Sequence, residues 1–533
     1  MSSGLFFRKT MASWSLWFLP VILMLVGWAT YFQMFPIGNG GSGYDEDPAY
    51  VYLINGLYLL EGHIPGHIDH PGTPLQILGA ATIFLRWGIS WIMGIVQGDV
   101  ATEVFRDPEL YMATIGAVLL FLNVGALYYL GRRILQVTES YRLALLVQTA
   151  PFIFGLLLIP RAIYLSPEAL LIFASLCLLG VLAGDVFRPL EDETQRNKLT
   201  PVLAGAICGF GLAVKLTFLP MLGLLLLLHS YRRFFQAVGY ALVSFIVCVL
   251  PILPNLLVYF RWVRNIAKHT GRNGSGSEGV VDWGAVPSNF LALLKAFPFL
   301  YFVVCALAMA MVLMWWRDRS EKNDKRGHLI VPAVLILVML VQTLLVIKDF
   351  GLHYMVPVMP VSLIGVAWLI WTNPAKGLVA RMMPAALLGV CCTIGAVATF
   401  NMLGALYGSR VLAEQEQALI SGEMNRHKDP FVIGTYRSLL PKSAICFGLF
   451  YTRGELTEAA RPFLENFDEY NMWSKSMFLS SPERINQIIS TGKDVLLVSP
   501  NYYPQPDAFI LEPLVNVSNR TLYRVISMHN SVQ

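Results

Sequence analysis

A chain of 533 residues that is 56% hydrophobic and only 14% charged is too apolar for an ordinary water-soluble domain, where charge runs nearer a quarter. A multi-pass membrane protein is expected. The net charge of +5 is small and lies mostly in short connections, so it reads as topology information, and nucleic acid is excluded as a partner. The seven cysteines show no disulfide framework and no metal-ligand spacing.

Arg8 and Lys9 precede a first apolar run at 14–35. It is longer than a signal-peptide core and lacks a small-residue cleavage pattern, so it is expected to be a retained span. A polar connection, 36–109, follows. It holds the acidic triplet Asp45-Glu46-Asp47, the turn His67-Ile-Asp69-His70-Pro71, and an apolar run at 75–96 that carries Arg86 and is read as lying in the interface or dipping into the membrane. Further apolar stretches lie at 110–131, 143–160, 167–186, 200–214, 216–230, 235–260, 288–316, 329–347, 351–371 and 383–403. Each is near the roughly twenty residues that cross a bilayer as a helix, which gives about eleven transmembrane helices, within a range of about ten to thirteen.

Lys and Arg collect in alternate connections, as the positive-inside rule requires. Arg8/Lys9, Arg132/Arg133/Arg142, Arg188/Arg196/Lys198, Arg232/Arg233, the run Arg317–Arg326 and Lys376/Arg381 fall on one side if 75–96 does not cross. The non-cytoplasmic side then receives 36–109, the link from Pro160 to Ser166, Lys215, the long loop 261–286, the link from Lys348 to His353, and everything after 404. Residues 1–403 thus form a transmembrane domain. In 404–533 charge rises, and strand-like runs at Ala444–Phe450, Asp494–Val498 and Thr521–Ile526 alternate with helix-like Ser481–Ser490. A small C-terminal α/β soluble domain outside the cytoplasm is expected. No internal repeat is visible, which weighs against transporters built from matching halves.

Acids are costly beside a membrane unless they have partners or work. A carboxylate of Asp45, Glu46 or Asp47 can serve as a general base, because partial desolvation raises its proton affinity; the bland alternative is a solvated acidic loop. His63, His67, Asp69 and His70 recur closely enough to admit a divalent metal. Pro65 and Gly66 break the register that would place His63 and His67 on one helical face, so no metal or other cofactor is expected, and a rigid turn presenting Asp69 or His70 to substrate is simpler. Arg161, Lys215, Arg264 and Lys268 are the cations on the outer face, with His269 alongside. Each has an ordinary alternative: snorkelling for Lys215, a span cap for Arg161, solvated charge for Arg264, Lys268 and His269, an aromatic belt for His353 with Tyr354.

Taken in order, these motifs resemble the GT-C glycosyltransferases that use lipid-phosphate sugars, especially the protein O-mannosyltransferase and aminoarabinose-transferase branch. Members carry an Asp-Glu or Asp-x-Asp pair in the first external loop, a (His or Lys)-Pro-Pro-Leu turn and a span ending in Gly-Arg-Arg. The similar stretches here are Asp45-Glu46-Asp47, His70-Pro71-Gly72-Thr73-Pro74-Leu75, with its second Pro displaced, and Gly131-Arg132-Arg133. The stretch from Arg161 to Ser166-Pro167-Glu168 resembles the family's second external loop, with Ser166 at the position of an Asp and Glu168 as the acid able to take over. Gly211 to Lys215-Leu-Thr217 and His353-Tyr354-Met-Val-Pro357 resemble two further elements, and the ordered set spans residues 1–370.

The resemblance implies an inverting hexosyl- or pentosyltransferase of the membrane. It would move a sugar from a polyprenyl-phosphate donor to a glycan, lipid or protein acceptor on the non-cytoplasmic face, most simply of a bacterial inner membrane. Asp45 and Asp47, with Glu46, are implied as catalytic; Asp69, His70, Arg161, Glu168, Lys215, Arg264, Lys268, His269, His353 and Tyr354 as substrate-binding. Donor, acceptor and membrane lipids are the expected partners. A multi-pass transporter or lipid-linked glycan flippase is the alternative, as is a polysaccharide polymerase. A transporter's polar residues should gather at the midplane in broken helices.

Overall fold

The computed structural model describes residues 15–34, 46–68, 72–188, 197–271, 274–321, 327–372, 378–502 and 505–529. Two compact units emerge: Met1–Trp28, Ile68–Pro74 and Val118–Met402 form one, and Ala29–His67, Leu75–Ala117 and Leu403–Gln533 form the other. Among the described residues, eight helices are long and apolar enough to cross a bilayer: Thr73–Ile92, Pro108–Thr138, Pro167–Phe187, Tyr231–Lys268, Pro298–Arg317, Leu329–Lys348, Leu352–Thr372 and Met382–Met424. The pair Tyr141–Ile153 and Gly155–Ile163, bent by 85°, makes a ninth if it is one span, and Phe18–Met34, Thr200–Val214 and Leu216–Leu228 are shorter apolar helices. Every stretch expected to span holds one of these. Thr73–Ile92, expected in the interface, reaches span length but is the least apolar of the eight.

Local chemistry explains the interruptions. Phe297 leaves helical geometry at φ −130°, ψ 52°, as a residue before proline does, and Pro298 starts the next helix. The bend after Ile153 falls at Phe154, φ −99°, ψ 31°, with Pro160 further along the second arm. Leu216–Leu228 winds as a 3₁₀-helix; at a rise of about 2 Å per residue its thirteen residues reach about 26 Å, close to a hydrocarbon thickness of about 30 Å. An α-helix of that length would reach only about 20 Å.

Two buried ion pairs fix this segment in the first unit. Lys215, just before it, donates to Glu168 at the start of Pro167–Phe187 at 2.7 Å. Arg233, just after it, donates to Asp185 near the other end of that helix, also at 2.7 Å. The chain therefore runs along 167–187, returns through Thr200–Val214 and runs forward again in Leu216–Leu228, so the two short helices are separate passes. At the Asp185 end, Trp371 donates to the Phe187 carbonyl at 3.0 Å, and Arg188 donates to the Val137 carbonyl.

In the second unit six strands form one sheet: β1 Phe431–Thr435, β2 Phe467–Asn471, β3 Ser476–Met477, β4 Val495–Pro500, β5 Phe509–Asn516 and β6 Arg520–Met528, in the order β3-β2-β1-β4-β6-β5. β1 lies parallel to both β2 and β4, and the remaining pairings are antiparallel. Phe431, Ile433, Tyr470, Ile485, Val495, Leu497 and Val525 build its core. The runs at 494–498 and 521–526 are strands as expected, and Pro482–Ser490 is a helix capped by Ser481. Ala444–Phe450, expected as a strand, is instead helical: Phe450 opens a 3₁₀ turn, and Ala444–Leu449 belong to the α-helix Pro441–Leu449. Pro441 at its first turn sets helical φ without losing a needed donor, a cue that outweighs a short apolar run with no periodicity of its own.

Removing one partner of a buried pair strands the other charge at a cost of about 3–5 kcal/mol. Asp185→Ala should therefore unfold markedly more easily in micelles, and Asp185→Leu/Arg233→Met should recover most of the loss. Equal stability of the single variant and wild type would disprove the pairing.

Candidate active site

Glu168 is the centre of a charge cluster in the first unit. Ser166, in extended conformation, precedes the Pro167–Phe187 helix, with Pro167 at its first position and Glu168 in its first turn, where a negative charge suits the helix dipole. The Glu168 side chain is only 3% exposed, and a buried carboxylate requires compensation. Lys215 supplies it at 2.7 Å, itself 9% exposed; Arg161 and His353 stand at 3.9 Å from the two carboxylate oxygens. One carboxylate faces two permanent cations and an imidazole, so the cluster carries at least one surplus positive charge. That surplus lies toward the more accessible members, Arg161 at 30% and His353 at 21%.

Neutral groups hold these side chains. The Lys215 ammonium sits 4.8 Å from the Tyr354 ring centroid, within cation–π range, and the Tyr354 ring is 4.2 Å from that of His353. Gln342 donates to the Tyr354 carbonyl at 2.6 Å. Asn123, fully buried midway along the Pro108–Thr138 helix, directs Nδ2 at the Leu119 carbonyl of its own helix at 2.9 Å and shares its two protons with the carbonyls of Ala169 at 3.1 Å and Ala162 at 3.2 Å. It thereby pins both ends of the loop that carries Arg161 and Glu168. The Ser166 hydroxyl is buried without a hydrogen-bond partner among the described residues.

The acidic segment belongs to the second unit. Asp45, Asp69, His70 and the side chain of Glu46 lie outside the described residues. Asp47 is half-buried, with extended backbone at φ −115°, ψ 119°. Tyr50 closes the segment and donates to Glu109 at 2.9 Å. The turn leading toward Asp69 is held by Asn55, whose side-chain oxygen accepts from the backbone N–H of Gly66 and His67 at 3.0 and 3.1 Å. Gln76 donates to the His67 carbonyl at 2.9 Å.

Of the expected substrate-binding residues, Arg161, Glu168, Lys215, His353 and Tyr354 come together. Arg264 and Lys268 are exposed on the Leu256–Lys268 helix, and His269, half-buried, follows it with Nδ1 3.1 Å from the Asn265 carbonyl. Because that helix runs to Lys268, the connection before Val286 is shorter than 261–286. Asn123, Gln342, Asn55 and Gln76 are not among the residues the sequence pointed to, because an uncharged amide carries no charge or periodic signal.

Residues 109–347 match glycosyltransferase family 87. In structure the chain is similar to ArnT from Cupriavidus metallidurans bound to undecaprenyl phosphate, at 12% identity and a TM-score of 0.53, covering 95% of this chain and 97% of that one. The apo form of the same protein matches at 13% identity and a TM-score of 0.52, with the same coverage. No curated protein matches in sequence. The chain is an integral membrane protein with the fold of these structures, and the part of it from 109 to 347 is similar to that glycosyltransferase family.

Replacing Asn123 with Leu keeps the volume but leaves two buried carbonyls without their donor, worth about 1–3 kcal/mol. Sugar-transfer efficiency should fall about tenfold or more, with a smaller effect on thermal stability. Wild-type kinetics in Asn123→Leu would show that the loop needs no such clamp.

Proposed function

We propose that this enzyme transfers a sugar from a polyprenyl-phosphate donor to an acceptor by an inverting single displacement on the non-cytoplasmic face of a cellular membrane, most simply a bacterial inner membrane. The observation that carries this reading is the Glu168 cluster: a buried carboxylate that organises Lys215, Arg161 and His353 with positive charge to spare. The acceptor oxygen attacks C1 of the donor sugar, the C1–oxygen bond to phosphate breaks, and the leaving phosphate takes the bonding electrons. Arg161 and Lys215 stabilise that developing charge through charge-assisted hydrogen bonds, with His353 beside them. Asp45 or Asp47 accepts the proton released by the acceptor.

The undecaprenyl phosphate bound to the similar ArnT supports a polyprenyl phosphate as the donor's lipid. A transporter is less well supported, because the charges gather at the ends of the Pro167–Phe187 helix rather than at its middle. No metal is assigned a role in this reading.

Lys215→Ala alone would strand Glu168, so the cleaner test is the neutral pair Glu168→Gln/Lys215→Gln. It should lose transfer by about a hundredfold or more while remaining folded, in an assay that follows radiolabelled sugar from a panel of polyprenyl-phosphate donors into membrane extract. Asp45→Asn and Asp47→Asn should identify the base by loss of transfer at unchanged stability; full activity in both would sink that assignment. Treatment with chelator should leave the rate unchanged, whereas complete loss with rescue by a divalent ion would assign a metal.

A further inference from the structure

We propose that the carboxyl edge of the parallel strands in the second unit is an acceptor subsite that stacks a carbohydrate ring on Trp473. The inference rests on the reading of the Asp45–Asp47 segment as the base for the acceptor. In open α/β sheets, ligands bind off the carboxyl ends of parallel strands where the strand order reverses. That reversal lies at β1, which is followed in sequence by β2 on one side and later by β4 on the other. The segments leaving the carboxyl ends of β1, β2 and β4 carry Tyr436-Arg437, Trp473 and Tyr502 respectively.

Trp473 is 64% exposed yet rigidly presented. The Asn471 side-chain oxygen accepts from the backbone N–H of Trp473 at 2.9 Å and of Ser474 at 3.0 Å, which locks the turn. The indole lies 4.8 Å from the Tyr436 ring, and Tyr436 lies 4.9 Å from Phe447. The Arg437 guanidinium is 5.3 Å from the Tyr436 centroid. Arg437 and Leu439 both hold positive φ, at 62° and 60°, a conformation that non-glycine residues adopt at a cost and that concentrates at ligand sites.

The platform shares its foundation with the acidic segment. Tyr436, Phe447 and Val51 form one apolar cluster, and Val51 follows directly on Glu46–Tyr50. A side chain at Gly448 would place its Cβ 3.0 Å from the Tyr50 carbonyl, so glycine lets the Pro441–Leu449 helix seat against that segment. A flat indole with a guanidinium nearby matches a sugar ring, which has C–H groups on its face and hydroxyls around its rim. A glycan is therefore the acceptor this surface fits.

The test uses the full-length protein in nanodiscs with a panel of fluorescently labelled hexose and pentose tetrasaccharides, together with transfer kinetics in membrane extract. Trp473→Ala should weaken tetrasaccharide binding and raise the acceptor KM about tenfold without moving the donor KM, and Trp473→Phe should restore most of both. Glu168→Gln/Lys215→Gln should give the reverse pattern, with tetrasaccharide binding kept and donor use lost, so that failure of the donor site and of this subsite are distinguishable. Undiminished binding in Trp473→Ala, or no binding of any tetrasaccharide by wild type, would overturn the proposal. Quenching of a fluorophore on Trp473→Cys by lipid-borne quenchers would also overturn it, by making the residue a bilayer anchor.

Discussion

A carboxylate at the start of a membrane-spanning helix has to be neutralised where it stands, and the contact of Glu168 with Lys215 at 2.7 Å does this. The first unit is arranged around it. Lys215 must lie at that end of the bundle, which forces the chain to turn between Thr200–Val214 and Leu216–Leu228 and makes each a short pass. Asp185 with Arg233 repeats the constraint at the other end of Pro167–Phe187, and the two pairs together set the span the 3₁₀ segment has to cover. Arg161 and His353 are then left partly accessible beside a charge that Lys215 has already balanced, which is what an anionic ligand requires.

The second unit joins elements far apart in sequence. The segment that holds Asp47 is tied by Tyr50 to Glu109 and packed by Val51 against Tyr436 and Phe447 of the C-terminal region. Gly66 in the following turn sits so close to the Tyr451 carbonyl that no side chain would fit. The C-terminal region thus packs against the residues that follow Asp47 and against the turn at Gly66, as well as forming a sheet.

Charges were the legible part of the sequence. In a chain with so few, Arg161, Glu168, Lys215 and His353 each stand out against apolar surroundings, and an ordered resemblance was enough to associate residues as distant as 161 and 353. Glu168 was visible as a substitute for the acid absent at Ser166, but not its near-complete burial or its central place. Asn123 and Gln342 escaped notice because a neutral amide within an apolar helix has no periodic or charge signature; only the carbonyls it meets after folding give it meaning. The helix at Pro441–Leu449 departs from the expected strand because a short apolar run fits a strand or a buried helix equally well. The bend at Phe154 depends on φ and ψ at one residue, which composition does not encode.

The central claim is that the Glu168 cluster binds phosphate, and the most direct measurement is phosphorus NMR of a polyprenyl phosphate titrated into the nanodisc-embedded protein. The wild type should give a shifted, saturable resonance that is lost in Glu168→Gln/Lys215→Gln while the protein stays folded. An unchanged titration in that variant would contradict the claim.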